Sequence, residues 1–242
     1  MIDLHSHILP SIDDGAQTIS DTLAIAQNTV DNGVTHMMCT PHINYGTFNN
    51  SPSTIEPAFK QAVEAIQNAN IPLKIAMACE MRICPEVITL VKQTNLPFIG
   101  QWKNRSAVLL ELPHSHIPPG AENLIRWLVQ NNIQPVIPHP ERNRDILANY
   151  AKAKWLKQQG CLFQVTAGAF VNRFSDKVMK TVWQLLNDEL IDYVASDTHN
   201  VTRRPNDMLA AYKAVEQKHG RAVAQQLFVE VPQQITADVQ WQ

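Results

Sequence analysis

Residues 1–10 read Met1-Ile2-Asp3-Leu4-His5-Ser6-His7-Ile8-Leu9-Pro10, and this stretch decides between two α/β architectures. Residues 2–5 have the short apolar pattern of a buried strand, and alternate residues of an extended segment face the same side. His5 and His7 therefore project together from one strand end, placed to share a metal ion. An open doubly wound sheet usually carries a glycine-rich phosphate loop at this point. His-Ser-His stands there instead, which favours a parallel sheet closed into a barrel.

Five further strand-like runs end in the same way. Residues 34–40 lead into Pro41-His42, 75–79 into Glu80, 108–110 into Glu111, 135–138 into His139, and 191–196 into Asp197-Thr198-His199. Parallel α/β folds gather the carboxyl ends of their strands on one face, where active sites form. With Asp14 from the loop after the first strand, the candidate ligands are His5, His7, Asp14, His42, Glu80, Glu111, His139, Asp197 and His199. Catalytic zinc commonly takes three protein ligands and water, and octahedral ions take about six groups, so this set implies two or three ions.

Imidazole and carboxylate without thiolate point to borderline or harder divalent ions such as Mn²⁺, Fe²⁺ or Zn²⁺, and Mn²⁺ is the ion expected here. Such a cluster lowers the pKa of bound water towards neutrality and supplies hydroxide for in-line attack, which suits hydrolysis of a phosphate ester. Arg142 and Arg204 stand close to ligands in sequence, and guanidinium binds phosphate oxygens bidentately, so both are expected to clamp phosphate. Arg144 and Arg203 are their competitors, and Asp13 competes with Asp14.

About seven strands are expected, at residues 2–5, 34–39, 73–78, 107–112, 135–137, 162–165 and 191–195, with helices between most of them. Ser20 is the expected N-cap of the first helix, and a later helix spans 121–130. The chain of 242 residues fits one domain, 1–242. Its formal net charge of −2 disfavours an extended nucleic-acid groove. No signal peptide or membrane-spanning run is present, so a soluble, cytoplasmic protein is expected. Cys39, Cys79, Cys84 and Cys161 are too scattered for a disulfide scaffold, and free thiols are expected.

The chain resembles the PHP (polymerase and histidinol phosphatase) superfamily, and most closely its bacterial capsule and exopolysaccharide tyrosine-protein phosphatases. The resemblance rests on residues 1–15, Thr40-Pro41-His42, Ala78-Cys79-Glu80, Leu110-Glu111, His139-Pro140-Glu141-Arg142 and Ser196-Asp197-Thr198-His199-Asn200. It implies a distorted TIM-like (β/α)7 barrel with a trinuclear metal site at the C-terminal ends of the strands. His5, His7, Glu80 and Asp197 would hold one ion, with Glu80 bridging to a second held with Glu111 and His139. Asp14, His42 and His199 would hold the third. Arg142 and Arg204 would carry over as the phosphate-binding arginines. The implied partner is a phosphotyrosine-bearing protein, a membrane-associated tyrosine kinase controlling polysaccharide export.

The cysteines agree with a metal route. Thiol-dependent tyrosine phosphatases place an Arg six residues after the nucleophilic Cys, and here Tyr45, Pro85, Leu90 and Ala167 occupy those offsets. A histidinol-phosphatase-like enzyme, an amidohydrolase-type C–N hydrolase and a non-catalytic metal-bound module are the alternatives. Ile43 and Asn44 depart from the histidine or basic residue that many relatives carry after Thr-Pro-His. His114 and His116 repeat the His-x-His spacing in a proline-bounded loop, and Tyr45 and Phe48 are candidates for an apolar lip around an aromatic substrate.

Overall fold

Short apolar runs bounded by Gly, Asn and Pro form ten strands in the computed structural model, which describes residues 1–93 and 96–242. The strands are β1 (Ile2–Asp3), β2 (His36–Cys39), β3 (His42–Ile43), β4 (Lys74–Met77), β5 (Glu80–Arg82), β6 (Gly100–Trp102), β7 (Arg105–Glu111), β8 (Ile133–Pro138), β9 (Leu162–Thr166) and β10 (Tyr193–Ala195). One parallel sheet has the order β1-β2-β4, and the other β10-β9-β8-β7-β5-β3, with β6 antiparallel to β7.

The two sheets are parts of one distorted ring. Ala78 N donates to Cys39 O (2.8 Å) and Glu80 N to Pro41 O (3.0 Å), so β2 and β3 stay beside β4 and β5 across a shared interruption. At the far seam Ser6 and Thr198 form an isolated parallel bridge. It is flanked by Asp197 N to His5 O and His7 N to Thr198 O, each 2.9 Å. Seven strand positions thus follow one another, the expected number. The count of ten arises because two positions are each split in two and β6 is added. At the other end of the ring the C-terminal segment intervenes, with Ile75 and Gln242 exchanging backbone bonds of 3.0 and 2.9 Å. Gly100, at φ +137°, permits this closure, since a Cβ there would lie 2.0 Å from Ile235 O.

The helices are α1 (Ile19–Asp31), α2 (Pro52–Asn68), α3 (Val87–Gln93), α4 (Ala121–Gln130), α5 (Arg144–Ala148), α6 (Ala151–Gln158), α7 (Ala167–Phe170), α8 (Asp176–Asn187), α9 (Met208–His219), α10 (Arg221–Gln225) and α11 (Val231–Ile235). Thr18, not Ser20, caps α1. The reason is reciprocal bonding: Asp21 N donates to Thr18 Oγ1 (3.1 Å) and Thr18 N to Asp21 Oδ2 (2.9 Å). Ser20 has Leu23 three residues on, which cannot return a bond. Apolar side chains including Leu4, Met38, Ala76, Ala107, Leu109, Val136 and Ala195 fill one buried cluster, and a larger one lies under the helices. Among the described residues no helix is long and apolar enough to cross a membrane.

Candidate metal centre

Most candidate ligands lie at or just past strand ends, His42 and Glu80 open the short strands β3 and β5, Asp14 lies in the loop after β1, and two of the nine have unusual backbones. His139, just past β8, has φ +41°, and Asp197, two residues past β10, has φ +52°. Left-handed conformations of non-glycine residues cost of order 1–3 kcal/mol, and they persist where surrounding bonds over-determine them. Here His139 N donates to Gln164 O (2.7 Å) and Asp197 N to His5 O (2.9 Å), which turns both side chains towards the ring axis.

All nine candidates meet in one cluster. Nε2 of His5 and of His7 lie 3.2 Å apart. Each is 3.4 Å from Asp197 Oδ1, and they stand 3.3 and 3.4 Å from Glu80 Oε2. Glu80 Oε1 lies 3.1 Å from His139 Nε2. His42 faces Glu80 and Glu111 through Nδ1, at 2.9 and 3.8 Å, and Asp14 through Nε2 at 3.4 Å. His199 Nε2 is 3.4 Å from the same Asp14 oxygen. Three sets bring ligand atoms within 4.8 Å of one another: His7, Asp14, His42 and His199; His5, His7 and Glu80; and His42, Glu80 and Glu111. His42 thus borders two sets, whereas the resemblance assigns it to one.

The donor set fits divalent ions on its own chemistry. Glu80 Oε2, His42 Nδ1 and His199 Nε2 are buried and have no hydrogen-bond partner among the described residues. The 2.9 Å approach of His42 Nδ1 to Glu80 is close but lies outside hydrogen-bonding geometry. Buried polar atoms without partners are costly, and converging imidazole and carboxylate lone pairs are satisfied together by a cation.

Neighbouring groups set which imidazole nitrogen faces the cluster. His5 Nδ1 pairs with Gln164 Oε1 (2.7 Å), His7 Nδ1 with Asp13 Oδ2 (2.7 Å), and His199 Nδ1 with the Asp197 carbonyl (3.0 Å). Each partner accepts a proton, so Nδ1 carries the hydrogen and Nε2 presents its lone pair. Asp13 is therefore placed behind His7, while Asp14 faces His42 and His199. Gly15 lets this loop lie against His7, because a Cβ there would fall 2.0 Å from His7 O.

Both arginines converge on Asp197 Oδ2, Arg142 through Nη1 and Arg204 through Nη2, at 2.5 Å each. The loop bearing Arg204 is wound around Asn200, whose Oδ1 accepts the backbone N–H of Thr202, Arg203 and Arg204. Arg142 also lies over the Phe174 ring, 4.8 Å from its centroid. Arg144 and Arg203 are exposed.

With only protein charges acting, the cluster is strongly polarised. Burial opposes ionisation of Glu80, but His5, His42 and His139 outweigh it and hold its carboxyl well below the usual range. Against the same burial, Glu80 raises His42 to about 10. Burial and the charge of Glu80 push Glu111 up to about 7. Burial and Arg142 lower His139 to about 3, and burial and His7 lower His199 to about 4.

His114 sits at the edge of the centre, its ring 5.5 Å from that of His139. Phe48 stacks on His42 at 5.4 Å, and Tyr45 is exposed. Sequence reasoning missed Gln164 and Arg82. Gln164 is a buried amide inside the apolar run 162–165, a signal that was available. Arg82, on the Glu80 face of β5, lies 3.1 Å from Glu111 Oε1.

The chain belongs to the family described as capsular polysaccharide synthesis, CpsB/CapC, which matches residues 1–237. It is 34% identical over 220 residues to tyrosine-protein phosphatase YwqE of Bacillus subtilis (strain 168), covering 91% of this chain and 85% of that protein. It is 28% identical over 247 residues to tyrosine-protein phosphatase CpsB of Streptococcus pneumoniae, covering 98% and 99%. Among solved structures, one from work on YwqE from Bacillus subtilis and CpsB from Streptococcus pneumoniae, described as unique metal-dependent tyrosine phosphatases, superposes with a TM-score of 0.85. The identity is 32%, over 98% of this chain and 92% of that one.

Proposed function

We propose that this chain is a metal-dependent protein-tyrosine phosphatase, a single cytoplasmic domain spanning residues 1–242. Its substrate is a phosphotyrosine-bearing protein, and we assign that role to a membrane-associated tyrosine kinase of capsule or exopolysaccharide synthesis and export. The reading is carried by one observation: seven imidazole and carboxylate side chains form the three ligand sets, His139 and Asp197 join them through Glu80, His5 and His7, and two arginines beside them share a single carboxylate oxygen. The family and its named relatives support it.

In this reading three divalent ions, Mn²⁺ before Fe²⁺ or Zn²⁺, are held by His5, His7, Glu80 and Asp197; by Glu80, Glu111 and His139; and by Asp14, His42 and His199. A cluster of this kind supplies a water-derived nucleophile at neutral pH and absorbs charge on phosphoryl oxygens. Arg142 and Arg204 orient the phosphate: one bond each to Asp197 leaves most of the five guanidinium donors for phosphate oxygens. Asp197 fixes both guanidinium groups, so little ordering remains when substrate arrives. The tyrosine leaving group has a reference pKa of about 10, which relaxes the need for a strong general acid.

Burial disfavours the thiolate at all four cysteines, with Glu86 adding to the effect at Cys84. Cys79 and Cys161 are buried, which pushes each thiol up to about 12. The test compares phosphate release by Mn²⁺-loaded protein from a phosphotyrosyl peptide and from histidinol phosphate, with a chelated control. Chelator-sensitive preference for the peptide is expected. Preference for histidinol phosphate moves the chain to small-molecule phosphatases, and release from neither removes the phosphatase reading.

A further inference from the structure

Beside the metal centre, the segments that follow β5 and β7, with helices α3 and α4, enclose an apolar groove of about 400 Å³, lined chiefly by Ile83, Cys84, Ile88, Pro118, Leu124 and Trp127. The groove adjoins the centre through β5. Glu80 and Arg82 belong to β5, Ile83 is the next residue, and its N–H donates to the carbonyl of Glu111 at 2.9 Å. Arg82 forms the partition, bonded to Leu112 O at 3.0 Å and paired with Glu111.

One wall is anchored to the segment that carries the phosphate clamp. Asn143 Nδ2 donates to Pro113 O (2.8 Å), Arg144 N to His114 O (2.8 Å), and Ile117 N to Asp145 Oδ2 (3.0 Å). The loop over 113–117 is thus tied to the three residues after Arg142, and the groove is pre-formed in a fixed position relative to the arginines.

Resting on the phosphatase reading, we propose that this groove seats an apolar or aromatic side chain of the peptide segment flanking the phosphotyrosine. An extended peptide advances about 3.3 Å per residue, so a side chain a few positions from the phosphotyrosine spans the Arg82 partition. The phosphate is held by the arginines and the neighbouring side chain by the groove, which separates a protein substrate from a small aryl phosphate. Removing a leucine-sized side chain from water there raises kcat/KM about tenfold over serine at the same position.

The experiment uses the Mn²⁺-loaded full chain with p-nitrophenyl phosphate and with phosphotyrosyl peptides bearing Leu or Ser at each of the flanking positions. Wild type is expected to prefer a Leu peptide about tenfold at one position or more, and Leu124→Arg and Ile88→Lys to abolish that ratio. A second measurement needs no core substitution. Cys84 is half-buried whereas Cys39, Cys79 and Cys161 are buried, so N-ethylmaleimide marks the groove selectively in the folded protein. The adduct is expected to erase the Leu/Ser ratio, and Cys84→Ser to be insensitive to the reagent. Equal rates on Leu and Ser peptides by wild type, or a Leu preference that survives both the variants and the adduct, overturn the groove assignment while p-nitrophenyl phosphate turnover persists. No release from any of these compounds overturns the phosphatase reading, and the groove assignment with it.

Discussion

Replacing Asp13 by Asn tests the orientation of His7 most sharply. Asp13 Oδ2 accepts from His7 Nδ1 (2.7 Å) and from His42 N (3.2 Å), while Oδ1 accepts from Gly15 N (2.9 Å). An amide offers one acceptor and one donor group. If its oxygen stays on His7 and His42, its NH₂ opposes the Gly15 N–H; if it turns, NH₂ opposes both other donors. Either way a buried donor loses its partner, at a cost of about 1–3 kcal/mol. The bond to His7 also loses its charge assistance, which weakens it about twofold. Since His7 Nε2 offers a lone pair only while Nδ1 holds the proton, that cost passes into metal affinity. Loss of such outer partners typically weakens binding by about 10–100-fold, or ~1.4–2.8 kcal/mol, in agreement with the hydrogen-bond estimate. Calorimetric titration of metal-stripped protein with Mn²⁺ is the assay. Asp13→Asn is expected to weaken binding with the number of ions unchanged, and Asp14→Ala to lose one ion. Affinity within threefold of wild type, or loss of an ion from Asp13→Asn but not from Asp14→Ala, refutes the reasoning.

Glu80 faces four histidines, so Glu80→Gln is expected to lower kcat/KM on a phosphotyrosyl peptide by at least about 100-fold, with the far-ultraviolet circular dichroism unchanged. Arg204→Lys forfeits bidentate geometry while keeping charge; a loss of about tenfold in kcat/KM with unaltered ion content is expected from steady-state kinetics and elemental analysis. Against burial, Asp13 raises His7 well above its ordinary value and Glu80 raises His42 to about 10, so protonation is favoured at both when only protein charges act. Ions displace those protons, so Mn²⁺ affinity is expected to fall as pH drops from 8 to 6. Calorimetry in buffers of differing ionisation enthalpy reads the release directly, and an enthalpy independent of buffer contradicts it.

The parts of this molecule legible in its sequence are those fixed by local periodicity. Strands tipped by His, Glu or Asp announce where the side chains emerge, and in a parallel fold those ends share a face, so eight of the nine candidates, all but Asp14, could be named before their distances were known. Helix α4 falls on the expected residues 121–130 because its apolar spacing and flanking Gly120 agree. Features set by tertiary partners were not legible. The contact of His5 with Gln164 spans 159 residues. The interruption at Ala78 and Cys79 reflects register against the strand containing Pro41, and neither residue carries a local breaker. Asp13 and Asp14 are adjacent and chemically identical, so only their burial and partners distinguish the one behind His7 from the one facing His42 and His199.

The central claim, that this cluster loads with ions and then hydrolyses phosphotyrosine, is tested by following both in the same samples. Metal-stripped protein is titrated with Mn²⁺ while bound ions and phosphate release from a phosphotyrosyl peptide are counted together. Activity is expected to be absent without ions and to rise to its plateau only as three ions per chain are reached. Full activity in stripped, chelated protein, or a plateau at one bound ion, contradicts the account.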